Sequence, residues 1–201
     1  MTFSVLSVCT GNICRSPVAE LILADALRAV GEVRVESAGT GALAGSGVPE
    51  QAQKLAATRG VDTTAHRARQ IEVGMIRGAD LIVAMSREHR RLIVESLPAA
   101  MRRAFTLREL ARIADELEPG LAQAVAASGA QTPEDGMRAA VGHAAALRGT
   151  VAPPASPDEF DIVDPYRRSD ETYARSFSEL SPAADRVAAY LLAGARAVST
   201  R

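Results

Sequence analysis

The chain has 201 residues, of which 47% are hydrophobic and only 3% aromatic, and its formal net charge at pH 7 is −1. This length and composition predict one domain with an aliphatic core. The near-neutral charge argues against a protein that coats nucleic acid or an anionic membrane surface. No segment approaches the roughly 20 apolar residues that a membrane span needs, so we expect no membrane insertion.

The start of the chain and its cysteines favour a reducing compartment. Residues 1–8 lack the basic start and the long apolar run of a secretory signal. The two cysteines, Cys9 and Cys14, lie close together near the N-terminus, unlike the disulfide framework of a small secreted protein. We therefore expect a cytoplasmic protein.

The order of the predicted elements indicates an α/β fold. Short β-prone runs bounded by turn signals predict strands at 3–8, 33–35, 79–85 and 104–107. Capping and periodicity predict helices at 16–30, 49–59, from 87 to about 96, and from 108 to about 117. Strands that alternate with helices predict a parallel sheet with helices on both faces.

Residues 118–158 interrupt this alternation. Two alanine-rich segments at 121–128 and 133–147 favour helices, and glycine and proline residues surround them. The region holds too few large apolar residues for a core of its own, so we interpret it as a helical insertion in a single domain, 1–201. In the C-terminal helical region that follows, Ser181-Pro182 predicts an interruption or a kink.

A Cys-x5-Arg pattern runs from Cys9 to Arg15, between the first predicted strand and helix. The backbone amides of such a loop and the helix N-terminus together form a cradle for an anion. The planar guanidinium of Arg15 can bind two oxygens of a phosphoryl group. The same positive field favours Cys9 as a thiolate, which would lie beneath the phosphate for in-line attack on phosphorus.

Spacing alone is weak support for a site. Cys-x5-Arg occurs by chance in many proteins, and a cysteine in a short apolar segment is more often a small core residue. The position of this pattern at a strand-to-helix turn, with Gly11 inside it and Ser16-Pro17 after it, favours the functional interpretation.

Residues 8–17, Val-Cys-Thr-Gly-Asn-Ile-Cys-Arg-Ser-Pro, resemble the phosphate-loop signature of the low-molecular-weight protein tyrosine phosphatases. The resemblance continues in the family's order through residues 37–41, 66–70, 79–85 and 164–166. It implies a four-stranded parallel sheet. It also implies hydrolysis of phosphotyrosine without a metal or another cofactor. The predicted insertion, 118–158, lies before the general-acid loop and departs from the family, which is usually shorter.

The resemblance assigns the catalytic roles to three residues. Cys9 would be the nucleophile, Arg15 would bind the phosphate, and Asp164 of Asp-Pro-Tyr would act as general acid and then as base. Without the family, an aspartate before proline predicts only a turn. The chemistry needs such an acid, because a phenolate leaves poorly unless it is protonated, and a positioned acid contributes about 10²–10⁴ in rate.

The resemblance also implies a set of supporting residues. Ser37 and His66 would hold the loop through Asn12, and Ser16 would stabilise the thiolate. Cys14 could be inert packing, or it could form a disulfide with an oxidised Cys9 and protect it. From the residues alone His66 is an ordinary surface histidine, and His89 and His143 are given no role. The substrate-binding residues implied are Thr10, Gly11, Asn12, Ile13, Cys14, Ser16, Leu43 and Tyr166.

Three segments bear on the substrate. Ile13 is similar to the tyrosine-specific members, whereas relatives that act on phosphoarginine carry threonine there. The loop around Leu43 and residues 161–170 resemble bacterial phosphatases that oppose autophosphorylating tyrosine kinases of capsule and exopolysaccharide export. The expected partners are therefore phosphotyrosine proteins, including such a kinase, with phosphate or another oxyanion in the site. Arg167 and Arg168 are either solvated charges or attract acidic residues beside the phosphotyrosine.

Two other functions use the same residues. An arsenate reductase of this scaffold that relies on an internal cysteine relay needs cysteines in the second half, where this chain has none. An arsenate reductase that uses an external small thiol in place of the internal cysteine relay remains an alternative. A non-catalytic phosphoprotein-binding module would be favoured by loss of the nucleophile or acid, and both are present.

Overall fold

The computed structural model describes residues 1–199, so the last two positions of the predicted domain lie outside the described residues. Its sheet has four parallel strands in the order β2-β1-β3-β4. The predicted four-stranded parallel sheet is thereby confirmed. The strands are β1 Phe3–Cys9, β2 Val33–Gly39, β3 Leu81–Ala84 and β4 Ala104–Thr106.

Helices cover both faces of this sheet. Because successive side chains in a strand point to opposite faces, Val5 and Val83 join the core on one side and Leu6 and Ile82 the core on the other. The first core packs against α1, α5, α6 and α7, and the second against α3 and α4. The helices are α1 Arg15–Leu27, α2 Glu50–Ala57, α3 Val73–Gly78, α4 Arg87–Ser96, α5 Leu107–Ser128, α6 Pro133–Leu147 and α7 Asp170–Ser199, with 3₁₀ turns at Pro98–Ala100 and Pro157–Phe160.

Two helices pass through prolines that suggested breaks. α5 continues through Pro119, so the separate helix predicted at 121–128 is wrong. α7 continues through Pro182, so an interruption there is wrong, whereas the alternative, a kink, stays a prediction. An interior proline costs a helix about 3 kcal/mol. Leu121 lies two residues after Pro119, Leu180 lies two residues before Pro182, and each is 2% exposed. Burial of these side chains in the core offsets the cost of the prolines.

β2 is longer than the predicted strand 33–35, and its end determines the shape of the site. It continues to Gly39, which pairs with Cys9. A Cβ atom at Gly39 would lie 2.3 Å from the carbonyl oxygen of Thr10. Only glycine therefore lets the end of β2 approach the loop after β1 this closely. The short helix α3 was not predicted.

α6, inside the predicted insertion 118–158, packs onto the main core. Met137 and Ala140 are fully buried there. The backbones of α6 and α7 are in direct contact at Gly136 and Gly194. A Cβ atom at Gly136 would lie 2.3 Å from the carbonyl oxygen of Gly194, so there is no room for a side chain there. The Tyr190 hydroxyl donates a hydrogen bond to the Ala140 carbonyl at 3.2 Å. Among residues 1–199, no helix has the length and apolar character to cross a membrane.

Candidate active site

Residues 9–15 form a loop at the carboxyl end of β1, a central strand of the sheet. The amides of residues 40, 41 and 43 donate to the carbonyls of residues 9, 10 and 11 at 2.9, 3.0 and 3.0 Å. These carbonyls therefore point away from the concave side of the loop. Within the described part of the chain, no group accepts a hydrogen bond from the amides of residues 10–14. Those amides are available to an anion, as are the first amides of α1.

Asn12 holds the loop from behind. It adopts the left-handed region with φ of 54° and is fully buried. Its Nδ2 donates to Ser16 Oγ at 3.0 Å and to Ser37 Oγ at 2.8 Å, and its Oδ1 accepts the amide of Arg69 at 2.8 Å. Ser16 Oγ lies 3.0 Å from Cys9 Sγ. Because Ser16 Oγ already accepts from Asn12, its own proton can be donated to the Cys9 sulfur.

The predicted support residues join this network. His66 Nε2 lies 2.7 Å from the Asn12 carbonyl oxygen and donates to it. The Ser37 hydroxyl donates to Glu20, a residue that was not predicted. Burial raises the pKa of Glu20, and the hydrogen bond from Ser37 opposes that rise. The side chains of Asn12, Ser16, Ser37 and His66 thus lie behind the loop rather than on the surface of the cavity.

Arg15, the first residue of α1, is 5% exposed and connects the loop to the Asp-Pro-Tyr segment. Its Nη1 donates to the carbonyl of Ile162 at 3.0 Å, and its Nη2 lies 2.6 Å from Asp164 Oδ2. Its Nε is buried and has no hydrogen-bond partner among residues 1–199. A buried unpaired donor is costly, so the contacts of Arg15 with the protein alone leave its guanidinium incompletely satisfied.

A cavity of about 250 Å³ opens in front of the loop. Leu43 and Tyr166 are its most exposed large side chains, at 41% and 37%, and form its rim. The Asp164 carboxylate is half exposed at the same opening. The cavity is lined by Cys9, Thr10, Gly11, Ile13, Cys14, Arg15, Gly41, Leu43, Asp164 and Tyr166.

The segment that carries Asp164 is anchored at several points. The amide of Ile162 donates to the Met85 carbonyl at the end of β3, at 2.9 Å. Arg87, the first residue of α4, reaches Asp161 through its backbone amide at 2.7 Å and through its guanidinium at 2.8 Å. These contacts hold Asp164 over the carboxyl edge of the sheet.

Cys14 differs from Cys9 in its surroundings. It is 6% exposed, and its sulfur lies 3.9 Å from the Tyr173 hydroxyl. Burial raises the pKa of the Cys14 thiol to about 12, against a smaller opposing effect of the Tyr173 hydrogen bond. Cys14 is therefore a neutral thiol at physiological pH and is unsuited to be the nucleophile.

His89 is part of the site although no sequence signal pointed to it. Its Nε2 lies 2.8 Å from Thr10 Oγ1, and its Nδ1 lies 2.8 Å from Ser86 Oγ. Burial, assisted by the positive charge of Arg15, lowers the pKa of His89 to about 4. His89 and Thr10 are 79 positions apart. The N-cap signal of Ser86, two residues after β3, indicated where the helix begins but not that His89 contacts the loop.

Comparison with known proteins identifies the family. The family model described as low molecular weight phosphotyrosine protein phosphatase matches residues 4–124. A probable low molecular weight protein-tyrosine-phosphatase, EpsP of Ralstonia solanacearum, is 38% identical over 110 residues, which cover 55% of this chain and 74% of that protein. A protein-arginine-phosphatase of Geobacillus stearothermophilus is 37% identical over 109 residues, covering 54% of this chain and 72% of the relative.

The fold is shared with solved structures of this group. The tyrosine phosphatase Wzb from Escherichia coli K30, in complex with sulphate, superposes with a TM-score of 0.64 at 25% identity, covering 94% of this chain and 98% of that one. The sequence resemblance and the predicted fold class are therefore confirmed. This chain belongs to the low molecular weight phosphotyrosine protein phosphatase family and is a protein-tyrosine phosphatase.

Proposed function

We propose that Cys9, Arg15 and Asp164 carry the hydrolysis of phosphotyrosine in this chain as nucleophile, phosphate anchor and general acid. One observation carries the proposal: the three side chains line a single cavity, and Arg15 contacts Asp164 at 2.6 Å while its Nε stays unpaired. The loop amides and Arg15 supply donors for the oxygens of a transferring phosphoryl group. The E. coli K30 relative is in complex with sulphate, which supports an oxyanion as a ligand of this chain.

The reaction proceeds in two displacements. In the first, the Cys9 thiolate attacks phosphorus, the S–P bond forms as the P–O bond to tyrosine breaks, and Asp164 transfers its proton to the departing phenolate oxygen. In the second, the Asp164 carboxylate takes a proton from water as the water oxygen attacks phosphorus. The S–P bond then breaks and inorganic phosphate is released.

Arg15 must exchange partners during this cycle. In the free enzyme it is paired with the Asp164 carboxylate. An incoming phosphoryl dianion offers the guanidinium two oxygens in a bidentate geometry, and protonation of Asp164 removes the competing charge. Substrate binding therefore releases Asp164 from Arg15 for its proposed role as general acid.

The walls of the cavity favour a phenyl ring over a guanidino group. Ile13 is 5% exposed and belongs to an apolar cluster, and Leu43 and Tyr166 line the same cavity. An aromatic ring gains from burial against such side chains, whereas the polar guanidino group of phosphoarginine would need hydrogen-bond partners that Ile13 cannot provide. We therefore propose phosphotyrosine, rather than phosphoarginine, as the substrate.

We further propose phosphotyrosine proteins as partners, including an autophosphorylating bacterial tyrosine kinase, and a cytoplasmic location. The similarity to EpsP supports the first proposal. Two free cysteines support the second, since the proposed mechanism needs Cys9 reduced.

Cys14 is proposed as a redox partner of Cys9. A Cys9 sulfenic acid, formed by peroxide, would condense with the Cys14 thiol to give a disulfide and water. Reversible inactivation by peroxide that is lost in Cys14→Ala supports this role. Equal recovery in the variant after addition of a thiol reductant rejects it.

Cys9→Ser is the direct test of the proposed function. The variant is expected to lose turnover of a phosphotyrosine peptide while it still binds inorganic phosphate, because the cradle remains. Wild-type turnover in Cys9→Ser would reject the mechanism. A single sample of the wild type, assayed for phosphotyrosine turnover, thiol-dependent arsenate reduction and phosphoarginine hydrolysis, separates the alternatives, and reduction without phosphotyrosine turnover would overturn the assignment.

A further inference from the structure

His89 is a buried titratable group that the proposed mechanism does not use. It lies in the first turn of α4, is 5% exposed, and places its ring between two hydroxyl groups. One hydroxyl belongs to Ser86, the N-cap of the helix. The other belongs to Thr10, the residue directly after the proposed nucleophile and part of the cavity lining.

The hydrogen bonds around the ring are compatible with the Nε2–H tautomer, which the following pattern of donation would give. Ser86 Oγ accepts the backbone amide of His89 at 3.3 Å, so its own proton is available to the ring. Donation from Ser86 to Nδ1, at 2.8 Å, leaves the ring proton on Nε2. Nε2 then donates to Thr10 Oγ1 at 2.8 Å. The low pKa of His89, about 4, keeps the ring neutral and this direction of donation intact near pH 7.

Thr10 is consequently left with a proton to donate. Its hydroxyl oxygen accepts from His89, and its side chain is otherwise exposed in the cavity. Its backbone is fixed from the opposite side, because the amide of Gly41 donates to the Thr10 carbonyl at 3.0 Å. Because Thr10 lines the cavity and its hydroxyl oxygen is held by His89, the remaining hydroxyl proton is available to a group bound in the cavity.

We propose that His89 is a positioning residue, which holds the Thr10 hydroxyl as a hydrogen-bond donor to the phosphoryl group in the Cys9 cavity. The inference rests on the proposed function, because it requires a phosphoryl group above Cys9. It adds a side-chain donor to those of Arg15 and the loop amides. His89 itself does not touch the substrate.

A double-substitution cycle tests this coupling. His89→Leu and Thr10→Val are each expected to raise the inhibition constant of inorganic phosphate about tenfold, as loss of one hydrogen bond to a charged group does. The double variant is expected to show about the same tenfold loss rather than a hundredfold one, because both substitutions remove one interaction. His89→Gln, whose amide nitrogen can donate to Thr10, is expected to stay within about threefold of the wild type.

Control variants distinguish loss of the contact between His89 and Thr10 from a general effect on folding. Glu88→Gln, an exposed neighbour on the same helix turn, is expected to leave the inhibition constant and the kcat/KM unchanged. If His89→Leu does not fold, Thr10→Val and Thr10→Ser carry the test, with the serine variant retaining phosphate affinity. Ring ¹⁵N shifts of the wild type are expected to report the Nε2–H tautomer.

Two results would overturn the inference. One is a loss of phosphate affinity in the double variant that equals the product of the two single losses, and the other is unchanged phosphate affinity in Thr10→Val. Its failure is distinguishable from failure of the proposed function. Phosphate affinity can be measured by calorimetry in a Cys9→Ser background, where no chemistry occurs. Turnover that persists in Cys9→Ser would reject the function, whatever the result at His89.

Discussion

The buried imidazole of His89 is expected to make the stability of this protein depend on pH in a specific window. Its pKa in the folded chain is about 4, lowered by burial and by Arg15, with Asp164, Asp161 and Glu88 opposing. In the unfolded chain an ordinary histidine titrates near 6.5. Between these values the unfolded chain binds a proton that the folded chain does not, so the free energy of unfolding falls as pH is lowered.

The magnitude follows from the two pKa values. A difference of about 2.5 corresponds to about 3 kcal/mol once the pH is below both values, and about 2 kcal/mol of this is lost between pH 7.5 and pH 5. This is a large part of the stability of an ordinary domain, about 5–15 kcal/mol. Other carboxylates and histidines also titrate in this range, so the wild type alone does not isolate the effect.

Urea unfolding of wild type and His89→Gln at a series of pH values isolates it. Glutamine does not titrate, so the free energy of unfolding of the wild type is expected to fall by about 2 kcal/mol more than that of the variant between pH 7.5 and pH 5. Parallel curves for the two proteins would refute the reasoning, since they would mean that His89 takes up its proton equally in both states.

Three further outcomes are expected at other positions. Asp164→Asn is expected to lower kcat on an aryl phosphate by about 10²–10⁴ and to tighten inhibition by inorganic phosphate, because Arg15 loses its 2.6 Å carboxylate partner; unchanged phosphate inhibition would contradict this pairing. Asn12→Ala removes hydrogen bonds that fix the loop and is expected to lower the free energy of unfolding by about 2–4 kcal/mol, measured in urea. Gly136→Ala is expected to cost about 2 kcal/mol or more, because its Cβ would meet the Gly194 carbonyl, while KM stays at the wild-type value.

The strand-loop-helix arrangement around Cys9 is predictable from the sequence because it is local. A β-prone run, a loop with Gly11, and Ser16-Pro17 follow one another within fifteen residues, and each carries its own signal. The support of the loop by Ser37 and His66 was expected only through the family resemblance. Their contacts with Asn12 cross 25 and 54 positions of the chain, and periodicity carries no information over such distances.

His89 shows the limit of this kind of prediction. A histidine in the first turn of an amphipathic helix is ordinary, and nothing near it in the sequence suggests a partner. Its role arises only when β3 pairs beside β1 and brings the start of α4 next to the loop after Cys9. The helix breaks suggested by Pro119 and Pro182 failed for a related reason, since burial of their neighbours against the rest of the fold outweighs a local preference.

The position of α6 bears on the role of the predicted insertion. Its residue Arg138 lies 3.0 Å from Asp80 and donates to the carbonyl of Thr2 at 2.8 Å, and Glu134 accepts the amide of Glu32 at 2.6 Å. Asp80, Thr2 and Glu32 all directly precede strands, whereas the cavity lies where the strands end. α6 is therefore at the opposite edge of the sheet from the proposed chemistry, and it buries apolar side chains in the main core. This geometry favours a role of α6 in covering the hydrophobic core over a role in restricting access to the cavity. Substitutions that disrupt α6 are therefore expected to lower stability and to leave substrate selection to Ile13 and the rim of the cavity.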